Sequence, residues 1–366
     1  MVTFAGRFFM TIGVAAFGDH AGAAVYEAVL AAELLGRGAI GGFAVMAVLD
    51  AAGAVQYRVT QRGGVAALDM PASWRDARLA AIISSGPDRP EPLTQFLAGG
   101  DGVGLVTGHR LPNLPGTDGV ALNRAALDAL ARSSLGQVLH SQAATSQASQ
   151  AQPCQGPSPQ QAVDTILQAH AEWDAGLVAI DIHGRLGMAN SARVRRRDDL
   201  GEFRRVTPTA SLGLLHNSIY ARGDLAAQLG ELAWSRLQGD AAVSRFITLL
   251  HPVPLTLAPR DCVHVDAQGV IVALETANPR LTTLDRISTA VYLMTEVRRD
   301  GVLLGVTGTE LYVRIRAGEA CPVDNPAHNT LLLAPIETGS SLAQESMNSD
   351  VTTGAGRTGG PNDATA

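Results

Sequence analysis

One short pattern recurs three times along the chain. It is an apolar run, then Asp-x-x-Gly, then a second β-like run. The copies end their first strands at Asp50, Asp181 and Asp266, with the glycines at Gly53, Gly184 and Gly269. An Asp carboxylate can bond the backbone of its own turn, and the glycine can take positive φ, so each copy predicts a β-hairpin. The first two copies each follow an amphipathic helix. One is expected over 21–35, capped by Asp19 and ended at Gly36, with Val25, Val29, Leu30 and Leu34 on one face. The other is expected over 160–173, opened by Pro159, with Val163, Ile166 and Leu167 on one side. These two copies read as a repeated αββ unit. For the third copy, a repeat and an independent hairpin are both open.

The remaining elements are placed around these units. A first strand is expected over 11–18, another over 212–220, and a helix over 225–237. Residues 74–131 read as turns with one or two short helices, and His109-Arg110 fall in a Gly/Pro-rich loop. The stretch from Arg260 to Pro335 is β-rich. Five segments follow: an N-terminal extension (1–10), a first αββ half (11–139), a Gln/Ser/Ala low-complexity linker (140–160), a second half carrying the C-terminal strands (161–337), and a tail without periodicity (338–366), expected to be disordered.

Composition excludes several chemistries. All 28 cationic side chains are Arg, and there is no Lys. That removes Schiff-base catalysis, the P-loop and Ser–Lys nucleophile pairs. A net charge of −6 argues against a nucleic-acid surface, and 4% aromatics argue against a base-stacking platform. The run Arg193–Arg197, followed by Asp198-Asp199, reads as a solvated loop. Three cysteines (Cys154, Cys262, Cys321), odd in number and without CxxC spacing, argue against a disulfide framework and fit a reducing compartment. No apolar run reaches the ~20 residues of a membrane span. Arg7 and the apolar stretch after it loosely mimic a signal peptide, but the same residues read as a first strand, and a cytoplasmic protein is expected. The nine His form no HxH or HExxH pair, and no metal or cofactor is expected.

The second hairpin unit, AVDTILQAHAEWDAGLVAIDIHGRLGMANSARVRR, resembles the C-terminal half of plant-type asparaginases and isoaspartyl peptidases. There a helix leads into a strand, an x-x-G turn, and a second strand ending near an Asn. The first hairpin, GGFAVMAVLDAAGAVQYRVTQRGG, resembles that family's nucleophile hairpin. Together the two pieces cover about 60 residues. The resemblance implies the fold of N-terminal-nucleophile hydrolases: an α+β chain forming an αββα sandwich, here with extra C-terminal β-strands. It also implies a Thr at the start of the first hairpin strand, freed by self-cleavage. That place holds Phe43, which cannot attack a carbonyl. Thr60 matches one Thr of the family's T-S-T-G-G stretch, and Gly63-Gly64 match its glycine pair.

A nucleophile is available elsewhere. Met10-Thr11-Ile12-Gly13 is itself T-[VI]-G-like. Translation from Met10 with removal of the Met would leave Thr11 as a free N-terminal Thr opening a strand. The hydroxyl needs a base, and the α-amine, with an ordinary pKa of ~7.7–8.0, can supply one. The substrate-binding candidates are Thr60, His109, Arg110, Asn190, His216 and Asn217. Arg110 suits a carboxylate, and His216-Asn217 form a polar pair inside an apolar strand. Cys262 and His264, two apart on a strand, share a face and could meet. Two functions are open: a small-molecule amide hydrolase acting through Thr11, and a non-catalytic relative that binds a ligand or serves in assembly. The partner expected is a small-molecule substrate or ligand, with no nucleic acid and no membrane. A homo-oligomer stays open.

Overall fold

The computed structural model describes residues 10–36, 40–86, 88–143, 157–219, 223–239 and 245–334, without the side chains of 133–143. The expected extension before Met10, linker residues 144–156 and the tail from 338 onward lie outside the described residues.

The N-terminal part contains β1 (Thr11–Phe17), α1 (Ala21–Leu35), β2 (Phe43–Leu49), β3 (Val55–Gln61), α2 (Ala72–Arg75), β4 (Leu79–Ser85), β5 (Ala98–Gly100), β6 (Gly104–Arg110) and α3 (Leu122–Ala143). It continues with α4 (Pro159–Ala169), β7 (Ala175–Asp181), β8 (Leu186–Asn190), α5 (Ala192–Arg195), β9 (Leu200–Val206), β10 (Ser211–Asn217) and α6 (Leu225–Leu237). Six of these strands form a sheet in the order β3-β2-β4-β1-β10-β9, and four form a second sheet, β5-β6-β7-β8. The fold is mixed α+β with several sheets.

Side-chain alternation sorts the core. On the six-stranded sheet, Ile12, Val14, Met46, Ile82 and Leu214 point toward α1 and α6 and share one apolar cluster with them. Their strand neighbours Ala15, Val45, Ala81, Ile83 and Leu215 point the other way and share a cluster with Leu105, Val178, Ile180 and Leu186 of the four-stranded sheet. The far face of that sheet carries Val106, Leu177 and Ala179 against α3 and α4. Glycines set the distance between the sheets. A Cβ on Gly13 would lie 2.1 Å from the Gly108 carbonyl oxygen, so the two backbones meet with no side chain between them.

The three hairpins form with one turn chemistry. Asp50 Oδ1 accepts from the N–H of Ala52 and Ala54, both at 2.9 Å. Asp181 Oδ1 does the same for His183 (3.0 Å) and Arg185 (2.9 Å). Asp266 Oδ1 takes Gln268 (2.9 Å) and Val270 (2.8 Å). Gly53, Gly184 and Gly269 all have φ between +75° and +80°. Each hairpin lies in a different sheet, the first two as β2–β3 and β7–β8.

Other sequence expectations are corrected. Asp19 does not cap α1: the cap position is His20 in the left-handed region, with no side-chain bond, and Asp19 lies 3.6 Å from Arg78. The second amphipathic helix stops at Ala169, where His170 Nδ1 lies 2.8 Å from the Ile166 carbonyl and ends the turn. Residues 74–131 hold two fully buried strands, β4 and most of β6, and the start of the 22-residue α3. His109 and Arg110 therefore end a strand rather than lie in a loop. The arginine run begins as the short helix α5, capped by Ser191, whose side chain accepts from the Val194 N–H at 3.1 Å.

The C-terminal strands are β11 (Phe246–Thr248), β12 (Val253–Leu257), β13 (Cys262–Val265), β14 (Ile271–Thr276), β15 (Asp285–Val291), β16 (Glu296–Arg299), β17 (Val302–Thr307), β18 (Leu311–Arg316), β19 (Glu319–Cys321) and β20 (Thr330–Ala334). They pair as one ten-stranded arrangement around a separate core of residues such as Val263, Val297, Val313 and Ile315. Phe246 and Leu332 pack back against the core around α1. No helix among the described residues is long and apolar enough to cross a membrane.

Candidate active site

One end of the space between the two sheets gathers the polar side chains. Strand pairing aligns Phe43, Ser85, Thr11 and Asn217 in a single row across β2, β4, β1 and β10. All four share the strand face that carries Ala15, Ile83 and Leu215 toward the second sheet. The first-hairpin place and the Thr11 place are thus two strands apart in one row. Phe43 fills its place with a buried ring 5.0 Å from Phe96.

Thr11 Oγ1 lies 3.2 Å from Ser85 Oγ, and both residues are 0% exposed. Arg89 Nη2 donates to the same Ser85 Oγ at 3.2 Å. The Arg89 guanidinium lies over the rings of Phe43 and Phe96, at 5.9 and 5.8 Å. Burial lowers the Arg89 pKa, and the charge of Arg110 adds to the effect.

The four-stranded sheet contributes His109 from the end of β6 and Asn190 from the end of β8. His109 Nδ1 is 3.1 Å from Asn217 Oδ1, and its Nε2 is 2.5 Å from Asn190 Oδ1. Asn217 Nδ2 donates to Ser218 Oγ at 3.1 Å, which fixes Asn217 with its oxygen toward the imidazole. Burial pushes the His109 pKa down, so the neutral ring is favoured. A neutral imidazole has one donor and one acceptor. The ring therefore has one N–H for its two amide-oxygen neighbours, Asn217 Oδ1 and Asn190 Oδ1. Gly176 makes room for the His109–Asn190 contact: a Cβ there would lie 2.3 Å from Asn190 Oδ1 and 2.4 Å from His109 Nε2.

The other sequence candidates lie apart from this cluster. Arg110 forms an ion pair with Asp174, through Nε at 2.9 Å and through Nη2, so its guanidinium is committed. Thr60 sits on edge strand β3, and its Oγ1 donates to the Arg62 carbonyl at 3.1 Å. His216 points to the opposite face of β10 from Asn217. Both its ring nitrogens are buried without a hydrogen-bond partner among the described residues. Burial, aided by His109, pushes its pKa down to about 4.

The chain on the N-terminal side of Thr11 is held as well. The Gly86 N–H donates to the Met10 carbonyl at 3.0 Å. Gly86 also borders a cleft of about 1070 Å³ between the N-terminal part and the C-terminal strands, lined by Gly41, Gly64, Thr309, Tyr312 and His328 among others.

Glu33 of α1 reaches this cleft from the buried side. Its Oε1 accepts from Ser84 Oγ at 2.7 Å, and both carboxylate oxygens accept from the Val65 N–H. Burial pushes its pKa up to about 7, against those hydrogen bonds. The folded carboxyl thus holds its proton above the ordinary value, and its stabilisation is lost as pH rises from 4.5 through about 7. His216 has the opposite sign: its contribution is present above pH 6.5 and is lost as pH falls through about 4. Each shift corresponds to about 3 kcal/mol. Between pH 4.5 and 6.5 the two slopes oppose, and from 6.5 to about 7 Glu33 alone lowers stability. The Glu33→Gln variant is expected to remove that decline, leaving a Tm that rises from pH 4 to 6.5 and then stays level. Thermal melts of both proteins from pH 4 to 8 check this, and parallel curves would contradict it.

Sequence reasoning missed Ser85, Arg89 and Glu33. Glu33 had a signal, since it lies four residues after Val29 on the apolar face of α1. Ser85 ends an apolar run that could have been read as a buried strand. Arg89 had none, because its position depends on the rings of Phe43 and Phe96.

No curated protein matches the chain. Among solved structures, it is similar to the glutamine phosphoribosylpyrophosphate (PRPP) amidotransferase from B. subtilis, complexed with ADP and GMP, at 11% identity and a TM-score of 0.29. The match covers 56% of this chain and 41% of that one. A family described as a domain of unknown function (DUF7259) matches residues 252–328, the region of the C-terminal strands. The family described as a domain of unknown function (DUF6963) matches residues 11–246, which contain both sheets and the whole Thr11 cluster, and the chain belongs to this family.

Proposed function

We propose that the two sheets and their outer helices form an αββα sandwich of the N-terminal-nucleophile type, and that the chain is a small-molecule amide hydrolase acting through Thr11. The observation that carries this is the placement of Thr11. It opens a central strand, on the face between the sheets, in one row with Ser85 and Asn217 and beside the His109–Asn190 pair. The resemblance of the two hairpins to plant-type asparaginases and isoaspartyl peptidases agrees with this role, with Thr11 standing in for the nucleophile absent at Phe43.

The mechanism requires a chain that begins at Thr11. Its α-amine, the one aliphatic amine of a lysine-free protein, takes the proton of Oγ1 as the oxygen attacks the substrate carbonyl. The C–N bond breaks, the amine leaves with that proton, and water hydrolyses the resulting ester to free Thr11. Ser85 Oγ holds Oγ1 in place. Loss of Met10 would release the Gly86 N–H, which is then placed to bind an oxyanion at the same end. Arg89, whose Nη2 donates to Ser85 Oγ beside Thr11, is placed to meet a substrate carboxylate, whereas Arg110 lies apart in its pair with Asp174.

A non-catalytic relative is the second reading. The full burial of Thr11 and Ser85 favours it, since at 0% exposure Oγ1 is closed to a substrate. The test is ammonia or amine release from a panel of small amides, including asparagine and β-aspartyl dipeptides, by protein beginning at Thr11. Turnover of a carboxylate-bearing amide supports the hydrolase. No turnover across the panel supports the ligand-binding relative.

A further inference from the structure

Outside the Thr11 cluster, one group of side chains has the composition of a metal site. Cys262 and His264 are two residues apart on β13, so they share a face. Glu275 on β14 is the direct antiparallel partner of Cys262 and lies on that same face. The thiol sulfur, an imidazole nitrogen and a carboxylate oxygen of these three residues all lie within 4.8 Å of one another. His264 Nε2 and Glu275 Oε1 are 3.4 Å apart. Two nitrogen or oxygen ligands of a tetrahedral zinc ion, each about 2.0–2.1 Å from the metal, stand about 3.3 Å apart, so this pair already has ligand spacing.

We propose that Cys262, His264 and Glu275 form a three-ligand site for a zinc-like divalent cation.

The donor set selects the ion. A thiolate with an imidazole and a carboxylate suits Zn²⁺ and excludes the hard cations Ca²⁺ and Mg²⁺, which take oxygen ligands. Binding displaces the Sγ proton to solvent as the metal–sulfur bond forms, with no change in oxidation state. His264 and Glu275 are each about one-third exposed in their side chains, which leaves the fourth position to water. The neighbouring strand does not compete for Glu275. Its Glu296, beside Cys262, is occupied by Arg298 at 2.8 Å and by Arg260 at 3.2 Å.

The test uses the full chain, kept reduced, with Co²⁺ as the spectroscopic probe and Zn²⁺ as competitor. One equivalent of Co²⁺ is expected to give a thiolate-to-metal charge-transfer band with intense tetrahedral d–d bands, both erased by one equivalent of Zn²⁺. Cys262→Ser should abolish the charge-transfer band. His264→Ala and Glu275→Ala alter partly exposed side chains and leave the core intact; each should weaken Zn²⁺ binding at least about tenfold, measured against a chromophoric chelator. These two variants decide the matter if Cys262→Ser fails to fold. Absence of the band in the wild type, its survival in a folded Cys262→Ser variant, or unchanged affinity in both His264→Ala and Glu275→Ala would overturn the proposal.

Discussion

Gly13→Ala is expected to destabilise the protein by at least about 3 kcal/mol, because the added methyl has no space between the sheets. The new Cβ would stand 2.1 Å from the Gly108 oxygen, 2.5 Å from its carbonyl carbon and 2.8 Å from its Cα. Those atoms are backbone, and no rotamer change relieves the clash. One sheet must slide or lift by about 1 Å against the other to restore ordinary contact, which separates the surfaces that bury Ala15, Ile83 and Val178. The control is Gly102→Ala. It has positive φ and nothing within 4 Å, so it measures backbone strain of about 1 kcal/mol without any clash. Urea unfolding of both variants checks the difference. A Gly13→Ala loss no larger than that of Gly102→Ala would mean that the sheets are not in contact at this glycine.

Thr11→Ala is expected to reduce amide hydrolysis to background, a loss of at least about a thousandfold in kcat, because the attacking oxygen is gone while the fold remains. Its structural cost should be small. Only the hydroxyl and a methyl are lost, and with them the 3.2 Å contact to Ser85, worth about 1 kcal/mol. Thr11→Ser keeps the oxygen and the α-amine and should retain measurable turnover. Ester or amide turnover by Thr11→Ala equal to that of wild type would exclude Thr11 as the nucleophile. A loss of turnover in both variants together with a lowered Tm would instead indicate a packing role for the residue.

The local elements were legible in the sequence wherever one rule governed them. The Asp-x-x-Gly hairpins formed as expected because Asp50, Asp181 and Asp266 bond their own turns, a matter of four or five adjacent residues. Helix α1 ended at Gly36 as its composition suggested. Strands β4 and β6 were missed for a different reason. LAAIISS is buried on both faces, so it lacks the alternation that marks a half-exposed strand, and its place between β1 and β2 is set by the whole sheet. The assignment of His109 to a loop failed because Gly108, read as a loop residue, serves close packing: a Cβ on it would lie 2.0 Å from the Gly176 carbonyl oxygen of β7. The meeting of Thr11 with Asn217, and of His109 with Asn190 across 81 residues of chain, depends on register between distant strands. No spacing along the sequence encodes it.

Thr11 can supply both nucleophile and base only with its α-amine free, so the start of the mature chain decides the account. The direct measurement is the intact mass of the protein expressed from its native gene, with fragmentation of the N-terminal peptide. A mature chain beginning at Thr11 is the predicted result, whether Met10 is the initiator or residues 1–10 are removed later. Retention of Met10 or any earlier residue on every molecule would leave Thr11 an interior, fully buried strand residue, and would contradict its use as the nucleophile.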